Sequence, residues 1–212
     1  MKVTVVTLLL CFALSGVIPE KASAKVVRPH DDKRPRITSL IGAEDLRRMI
    51  HRRTILSDST LIKLDRKDDA DVRQYDFFAA MMVNADMERT RQVVMDYRTY
   101  SKLVPYISET TFYPELSMLL VMGGIWRYQL AALVQFHEQH EQWIEYHLIR
   151  GHFQNLAGDI LFEPVDAKRT LVLIRGKRVG EGYPPRLVVE NGAELVFRHT
   201  ARQLRHEIEN GG

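Results

Sequence analysis

The middle of the chain contains a stretch in which apolar and polar positions alternate. In the run from Ile125 to His137 every second residue, from 126 to 136, is apolar, and the run from 144 to 148 repeats this pattern. A period of two is typical of antiparallel strands with one buried face. We expect a polar hairpin near residues 137–140 to join these two strands. The predicted buried face comprises Trp126, Tyr128, Leu130, Ala132, Val134 and Phe136, followed by Ile144, Tyr146 and Leu148.

Further strands are predicted on both sides of this stretch. The β-prone run 72–83 forms a hairpin with residues 60–64, across a charged turn. Residues 155–163 and 170–177 add two more strands, separated by turn-forming residues. The sequence therefore predicts a sheet of antiparallel strands that occupies most of the second half of the chain.

Apolar residues at helical spacing predict helices before and after these strands. Asn84 or Asp86 caps a helix that runs to Tyr97. A shorter helix ends before Pro105, because the residue that precedes a proline is pushed out of the helical region. An earlier short helix carries Ala43, Leu46, Met49 and Ile50 on one side. A long C-terminal helix has a buried stripe of Val189, Ala193, Val196, Leu204 and Ile208.

Composition restricts the class of protein. The 212 residues are 45% hydrophobic and 27% charged, which excludes an intrinsically disordered chain. The formal net charge of +3 predicts no strong field over the surface and gives no support for a nucleic-acid partner. Cys11 is the one cysteine, so the sequence excludes an intramolecular disulfide and every multi-cysteine metal or redox motif.

Residues 1–24 have the pattern of a secretory signal peptide. Lys2 gives a positive start, residues 3–17 are largely apolar, and Ala22 and Ala24 supply the small residues that signal peptidase accommodates. We expect cleavage after Ala24 and a soluble protein in the periplasm or outside the cell. The rest of the chain is predicted to comprise a polar linker (25–37), an N-terminal extension with a short helix (38–69) and the main domain (70–210).

The segment around Asp96, together with the order of the elements, resembles the START-like superfamily, which includes polyketide cyclases and coenzyme-Q-binding proteins. In such proteins a helix, an aspartate–tyrosine pair, a second tyrosine and a Val-Pro step precede the second strand. Gly158, ahead of a strand, is similar to the family's mid-sheet segment. The resemblance covers residues 70–210. The residues that match the motif are Asp96, Tyr97, Tyr100, Val104 and Pro105.

This resemblance implies an α+β helix-grip fold, in which a curved antiparallel sheet wraps around a long C-terminal helix and two short helices follow the first main strand. It also implies an elongated apolar cavity, in which family members bind lipids, quinones, sterols or aromatic compounds. We therefore predict a hydrophobic small molecule as the partner. The predicted cavity residues are Trp126, Tyr128, Leu130, Val134, Phe136, Ile144, Tyr146, Leu148, Arg150, Phe162, Arg175 and Val196.

Three functions stay open on the sequence alone. A face whose polar groups are only tyrosine and tryptophan favours binding over a cyclase or dehydratase reaction, which needs a group able to transfer a proton. Arg150 and Arg175 either extend the inward rows toward an anionic ligand group or form ordinary ion pairs at the rim. The third function is an interaction module with a filled core, which would act through the N-terminal helix or a surface patch.

Cofactors and metals are not expected from the sequence. His137 and His140 lie close together in the segment HEQHE, but they lack the helical i, i+4 spacing of a zinc motif. We therefore predict no cofactor and no metal site. The arginines of the N-terminal helix leave open a transient contact with a membrane.

Overall fold

The strands of the chain form one antiparallel sheet. The computed structural model describes residues 35–64, 72–125, 128–183, 186 and 188–211. The strands in this part of the chain are β1 (Leu56–Lys63), β2 (Arg73–Val83), β3 (Ile107–Tyr113), β4 (Met118–Ile125), β5 (Tyr128–His140), β6 (Trp143–Gly151), β7 (Ala157–Asp166) and β8 (Arg169–Gly180). They lie side by side in the order β1-β2-β8-β7-β6-β5-β4-β3. The predicted hairpin between the first two strands is confirmed, with Leu61 opposite Tyr75.

Helices precede the sheet, follow β2 and end the chain. Their bounds are α1 (Ile37–Leu40), α2 (Ala43–Arg52), α3 (Met87–Met95), α4 (Tyr100–Leu103) and α5 (Ala193–Asn210). The predicted capping of α3 is confirmed, because an Asp86 carboxylate oxygen accepts a hydrogen bond from the backbone N–H of Arg89 at 2.8 Å. Residues Val188–Gly192 form a π-helical turn immediately before α5.

The terminal helix lies on the concave face of the sheet. Ala201, Leu204 and Ile208 are its buried residues, and the helix packs against β1 and β2. Charged side chains occupy its other side, as expected for an amphipathic helix. The curved sheet, the terminal helix and the short helices after β2 confirm the predicted α+β helix-grip architecture.

One predicted strand is in fact parts of two. The alternating run from Ile125 crosses a strand boundary, because Ile125 ends β4, Tyr128 begins β5, and the two are paired in the antiparallel ladder. Alternation alone does not mark the reversal, since side chains keep a period of two in both strands of a hairpin. The next turn also lies later than expected: β5 continues to His140, and the turn is formed by residues 141 and 142.

Helices α1 and α2 cover the convex face of the sheet. Ile37 and Met49, which are 1% and 0% exposed, pack in a cluster with Leu161, Leu171 and Leu173 of the sheet. The Glu163 carboxylate of β7 fixes the start of α1, because it accepts a hydrogen bond from the Ile37 backbone N–H at 2.7 Å. The N-terminal extension is therefore packed directly on the sheet.

The predicted domain boundary at residue 70 falls between two neighbouring strands of this sheet, β1 and β2. Ile37, the last residue of the predicted linker, begins α1. Residues 1–34, which include the predicted signal peptide and most of the linker, lie outside the described residues. In the part of the chain that is described, no helix has the length and apolar character needed to cross a membrane.

Candidate ligand-binding cavity

An apolar cavity of about 430 Å³ lies between the concave face of the sheet and α5. Strands from β2 to β8 form one wall, and the inward side of α5, including Val196 and Ala201, forms the other. Its volume is within the usual range for small-molecule sites. Eight aromatic residues contribute to the lining: Tyr75, Phe77, Tyr97, Tyr100, Phe136, Tyr146, Phe153 and Phe197.

Half of the residues predicted from the sequence lie on the cavity wall. They belong to the inward faces of β5, β6 and α5, which the period of two and the helical stripe predict. These residues are Leu130, Val134, Phe136, Tyr146, Leu148 and Val196.

Ile144 and Phe162 lie on the inward face of the sheet but not on the cavity wall. Both are 0% exposed and belong to the packed core cluster beside the cavity. The sequence pattern identifies the face of a strand, but it does not show where along the strand packing ends and free space begins.

Two predicted arginines lie elsewhere, which corrects that part of the prediction. Arg175 follows Ile174, a cavity residue, and therefore lies on the convex face, where its Nε donates to an Asp159 carboxylate oxygen at 2.7 Å. Arg150 is exposed near the end of β6. Trp126 is outside the described residues, and Tyr128 is described by its backbone alone, as the first residue of β5.

Strand β2 supplies a part of the wall that was not predicted from the sequence. Tyr75, Phe77, Ala79 and Met81 occupy alternate positions and all line the cavity. Their spacing is the signal that identifies them, but the neighbouring Phe78 and Met82 are also apolar and conceal which face is inward. Both faces of β2 are covered, by α5 on one side and by α2 on the other.

Two opposed glycines make room for the aromatic side chains at the floor of the cavity. Gly158 of β7 and Gly176 of β8 are cross-strand partners, with Tyr146 and Phe77 on either side in the same row. A Cβ atom on Gly176 would lie 2.5 Å from Phe77 Cε1 and 2.6 Å from Tyr146 Oη. The Tyr146 hydroxyl therefore reaches across both glycines and donates to the Arg175 backbone oxygen at 2.9 Å.

The polar groups of the wall are few and are already bonded within the protein. Tyr100 donates its hydroxyl to the Val94 backbone oxygen at 2.8 Å, and Ser59 Oγ donates to Tyr75 Oη at 3.2 Å. Tyr97 Oη contacts the Met95 sulfur at 3.1 Å. Thr200 is the other polar residue among the lining residues that the structure describes, and none of these lining residues carries a formal charge.

Burial keeps the tyrosines of the wall neutral. It raises the pKa of Tyr75 to about 12, and this effect outweighs the hydrogen bond from Ser59, which lowers the pKa. Burial also raises the pKa of Tyr97, Tyr100 and Tyr146 above the ordinary value for tyrosine. A phenol with a raised pKa is a poor base at neutral pH, so the described wall has no group suited to accept a proton from a substrate.

The convex face also has a groove, of about 890 Å³, beside α1 and α2. Its charged side chains are largely paired with one another, as in the Arg175–Asp159 ion pair. Lys177 Nζ lies 3.9 Å from Asp76 Oδ1, and Arg48 pairs with Asp45. Within the described residues no cluster of three potential metal ligands occurs, in this groove or elsewhere.

No family model and no curated protein matches this chain. Solved structures do match. A START superfamily protein from Mycobacterium smegmatis superposes with a TM-score of 0.55 at 20% identity, over 65% of this chain and 99% of that one. A conserved protein from Geobacillus kaustophilus gives a TM-score of 0.52 at 14% identity, over 63% of this chain and 94% of that one.

The Zhui aromatase/cyclase from Streptomyces sp. R1128 is similar to the same degree. Its TM-score is 0.51 at 11% identity, over 66% of this chain and 98% of that one. Identities this low establish the fold alone. The resemblance read from the sequence is thus confirmed at the level of the fold, and the chain has the START-like helix-grip fold.

Proposed function

We propose that this protein binds a neutral hydrophobic small molecule in the cavity under α5 and carries out no chemistry on it. A lipid, a quinone or an aromatic metabolite has the required character. The observation that carries this proposal is the cavity of about 430 Å³, with eight aromatic residues and no charged residue among the described lining residues. In such a cavity, the favourable free energy of binding comes mainly from burial of the ligand's apolar surface.

A cyclase or dehydratase is the second candidate, since a structurally similar protein is an aromatase/cyclase. That reaction class needs an acid or base at the substrate, which typically contributes 10²–10⁴-fold in rate. The titratable groups of the described wall are tyrosines whose pKa is raised by burial. The arrangement therefore favours binding. The cavity also argues against an interaction module with a filled core.

Binding is tested with the neutral fluorescent probe N-phenyl-1-naphthylamine. We expect saturable binding by the unaltered protein, and at least about tenfold weaker binding by Val134→Trp, because the larger ring occupies the cavity. Val165→Trp is the matched control, since Val165 is 36% exposed near the end of β7 and should leave the affinity unchanged. Circular dichroism confirms that both variants fold. Absence of binding, or equal loss in both variants, contradicts the proposal.

The natural ligand is sought separately. The protein is purified from the compartment in which it accumulates, extracted with organic solvent, and compared by mass spectrometry with the Val134→Trp variant. A compound present in the first extract and depleted in the second is the expected result. An apolar mass that accompanies both proteins equally would not occupy the cavity.

Export is part of the same proposal. The pattern of residues 1–24 predicts cleavage after Ala24, which leaves Lys25 as the first residue of the exported protein. N-terminal sequencing of protein recovered from the periplasm or the medium tests this. Recovery of the intact chain only from the cytoplasm would contradict export without affecting the binding proposal.

A further inference from the structure

Two neighbouring segments lie at one end of the cavity. The β6–β7 turn, residues 152–156, carries Phe153, which lines the cavity and is partly exposed. The segment after β8, residues 181–183, carries Tyr183. The rings of Phe153 and Tyr183 lie 5.5 Å and 6.3 Å from the ring of Tyr75, which is 3% exposed. Their own centroids are 6.2 Å apart. These two rings therefore pack against Tyr75 and cover it at this end of the cavity.

One side chain contacts both segments. Arg178 Nε donates to the Gln154 backbone oxygen at 2.8 Å, and Arg178 Nη2 donates to the Glu181 backbone oxygen at 2.8 Å. The guanidinium carbon also lies 4.4 Å from the centroid of the Tyr183 ring, in a cation–π contact. The Tyr183 hydroxyl donates to the Arg178 backbone oxygen at 2.9 Å. Only the planar, forked guanidinium can make both hydrogen bonds and the ring contact together.

The backbone of the β6–β7 turn holds Phe153 in a conformation that phenylalanine rarely adopts. Phe153 has a φ of 61° and Asn155 a φ of 69°, both in the left-handed region. That region is unusual for a bulky residue such as phenylalanine, and it persists when surrounding contacts hold it. The contact from Arg178 to Gln154 lies between these two residues. Backbone hydrogen bonds from the Gln154 and Asn155 N–H groups also hold the turn, and the Arg178 contact joins it to the 181–183 segment.

We propose that Arg178 is a positioning residue that latches the β6–β7 turn to the 181–183 segment, so that a ligand enters and leaves the cavity when this contact breaks. The inference rests on the proposed function and deepens it, because it states what limits ligand exchange. The latch acts on the rate of exchange, while the apolar wall sets the affinity.

Ligand exchange rates test the latch. Stopped-flow mixing with N-phenyl-1-naphthylamine gives association and dissociation rates for the full protein and for Arg178→Ala. We expect both rates to rise about tenfold while Kd stays within about threefold, because the variant opens the same route in both directions. Arg178→Lys keeps the charge but cannot reach both carbonyl oxygens, so we expect a smaller rise. Arg169→Ala is the control, since Arg169 pairs with Asp166 at the opposite end of β7.

Hydrogen exchange of the ligand-free proteins provides a second measurement that does not depend on binding. The Asn155 N–H donates to the Leu148 oxygen at 2.9 Å, and the Leu156 N–H donates to the Phe153 oxygen at 3.0 Å. Faster exchange of these two amides in Arg178→Ala than in Arg169→Ala is the expected result.

Each alternative outcome has a distinct meaning. Unchanged exchange rates of the probe in Arg178→Ala overturn the latch. So does faster dissociation with proportionally weaker affinity, because Arg178 would then be part of the binding wall. If neither protein binds the probe, the proposed function fails. Equal amide exchange in Arg178→Ala and Arg169→Ala would show that Arg178 does not stabilise the turn, and would overturn the latch.

Discussion

The two faces of the sheet carry similar apolar residues but differ in how completely these residues are packed. On the convex face, Leu161 and Leu171 are each 1% exposed and are covered by Met49 of α2, so this side is packed like an ordinary core. On the concave face, neighbouring positions such as Ile160 and Val172 line a cavity of about 430 Å³ under α5. The same strands thus carry a filled face and an unfilled one.

Because of this difference, the filled face contributes mainly to stability, and the unfilled face leaves apolar surface available for binding. A filled face gains dispersion contacts and removes apolar surface from water. An unfilled face lacks some of these contacts and buries less apolar surface. A bound apolar molecule can provide the missing contacts. The N-terminal helices are therefore a structural cover on one side of a sheet whose other side borders the cavity. The comparison can be broken or sharpened by substitutions on each face.

The largest expected effect comes from placing a charge on the packed face. Met49 is 0% exposed, and Met49→Asp would bury a carboxylate with no partner in this cluster. We expect the free energy of unfolding to fall by about 4 kcal/mol or more. Denaturant unfolding followed by circular dichroism measures it. Leu40→Asp is the control at a 41% exposed position of α1, with an expected loss below about 1 kcal/mol. Equal losses would show that α2 does not seal the convex face.

A matched pair of leucine truncations compares the faces directly. Leu161 is 1% exposed in the packed cluster, whereas Leu119 is 5% exposed and lines the cavity. We expect Leu161→Ala to cost about 3 kcal/mol of stability and Leu119→Ala about half as much, because Leu119 already borders free space and loses fewer contacts. Urea midpoints measure both.

The ranking for ligand binding should be the reverse. Leu119→Ala changes the shape of the wall and should alter Kd for N-phenyl-1-naphthylamine, while Leu161→Ala should leave it unchanged. If Leu119→Ala costs as much stability as Leu161→Ala and leaves Kd unchanged, the concave face is packed in the same way as the convex one.

The sequence carried enough information to predict the fold and one wall of the cavity. Alternation identified Leu130, Val134 and Phe136 because polar residues occupy much of the outward side of β5. It did not identify Tyr75 and Phe77, because β2 is covered on both faces and the outward positions after them, Phe78, Ala80 and Met82, are apolar as well. A period is informative only where one face meets water.

The extent of the cavity was beyond sequence reasoning for a related reason. Ile144 and Tyr146 share one face of β6, yet only Tyr146 lines the cavity. The position of free space depends on how α5 meets the sheet and on the Gly158–Gly176 pair, which are tertiary features. The Arg178 contacts likewise join segments that no local pattern connects.

The smallest expected effect is the response of binding to pH. Burial holds the pKa of Tyr75 at about 12 and raises those of Tyr97, Tyr100 and Tyr146. A tyrosine whose pKa is higher in the folded state than the ordinary value of 10.0 contributes to stability. This contribution is complete at every pH below 10.0. The contribution is lost only as the pH rises from about 10 through the folded-state pKa. The range from about pH 6 to 9 lies below the pH at which this loss begins.

We therefore expect Kd for the neutral probe to change less than about twofold between pH 6 and 9. Fluorescence titration at fixed ionic strength measures it, with the unfolding midpoint recorded at each pH as the control for stability. A tenfold change in Kd across this range at constant stability would require an ionising carboxyl, imidazole or amine group at the ligand. Such a group is what proton-transfer chemistry needs. This result would therefore contradict the view that the packed convex face provides stability and the concave face only binds.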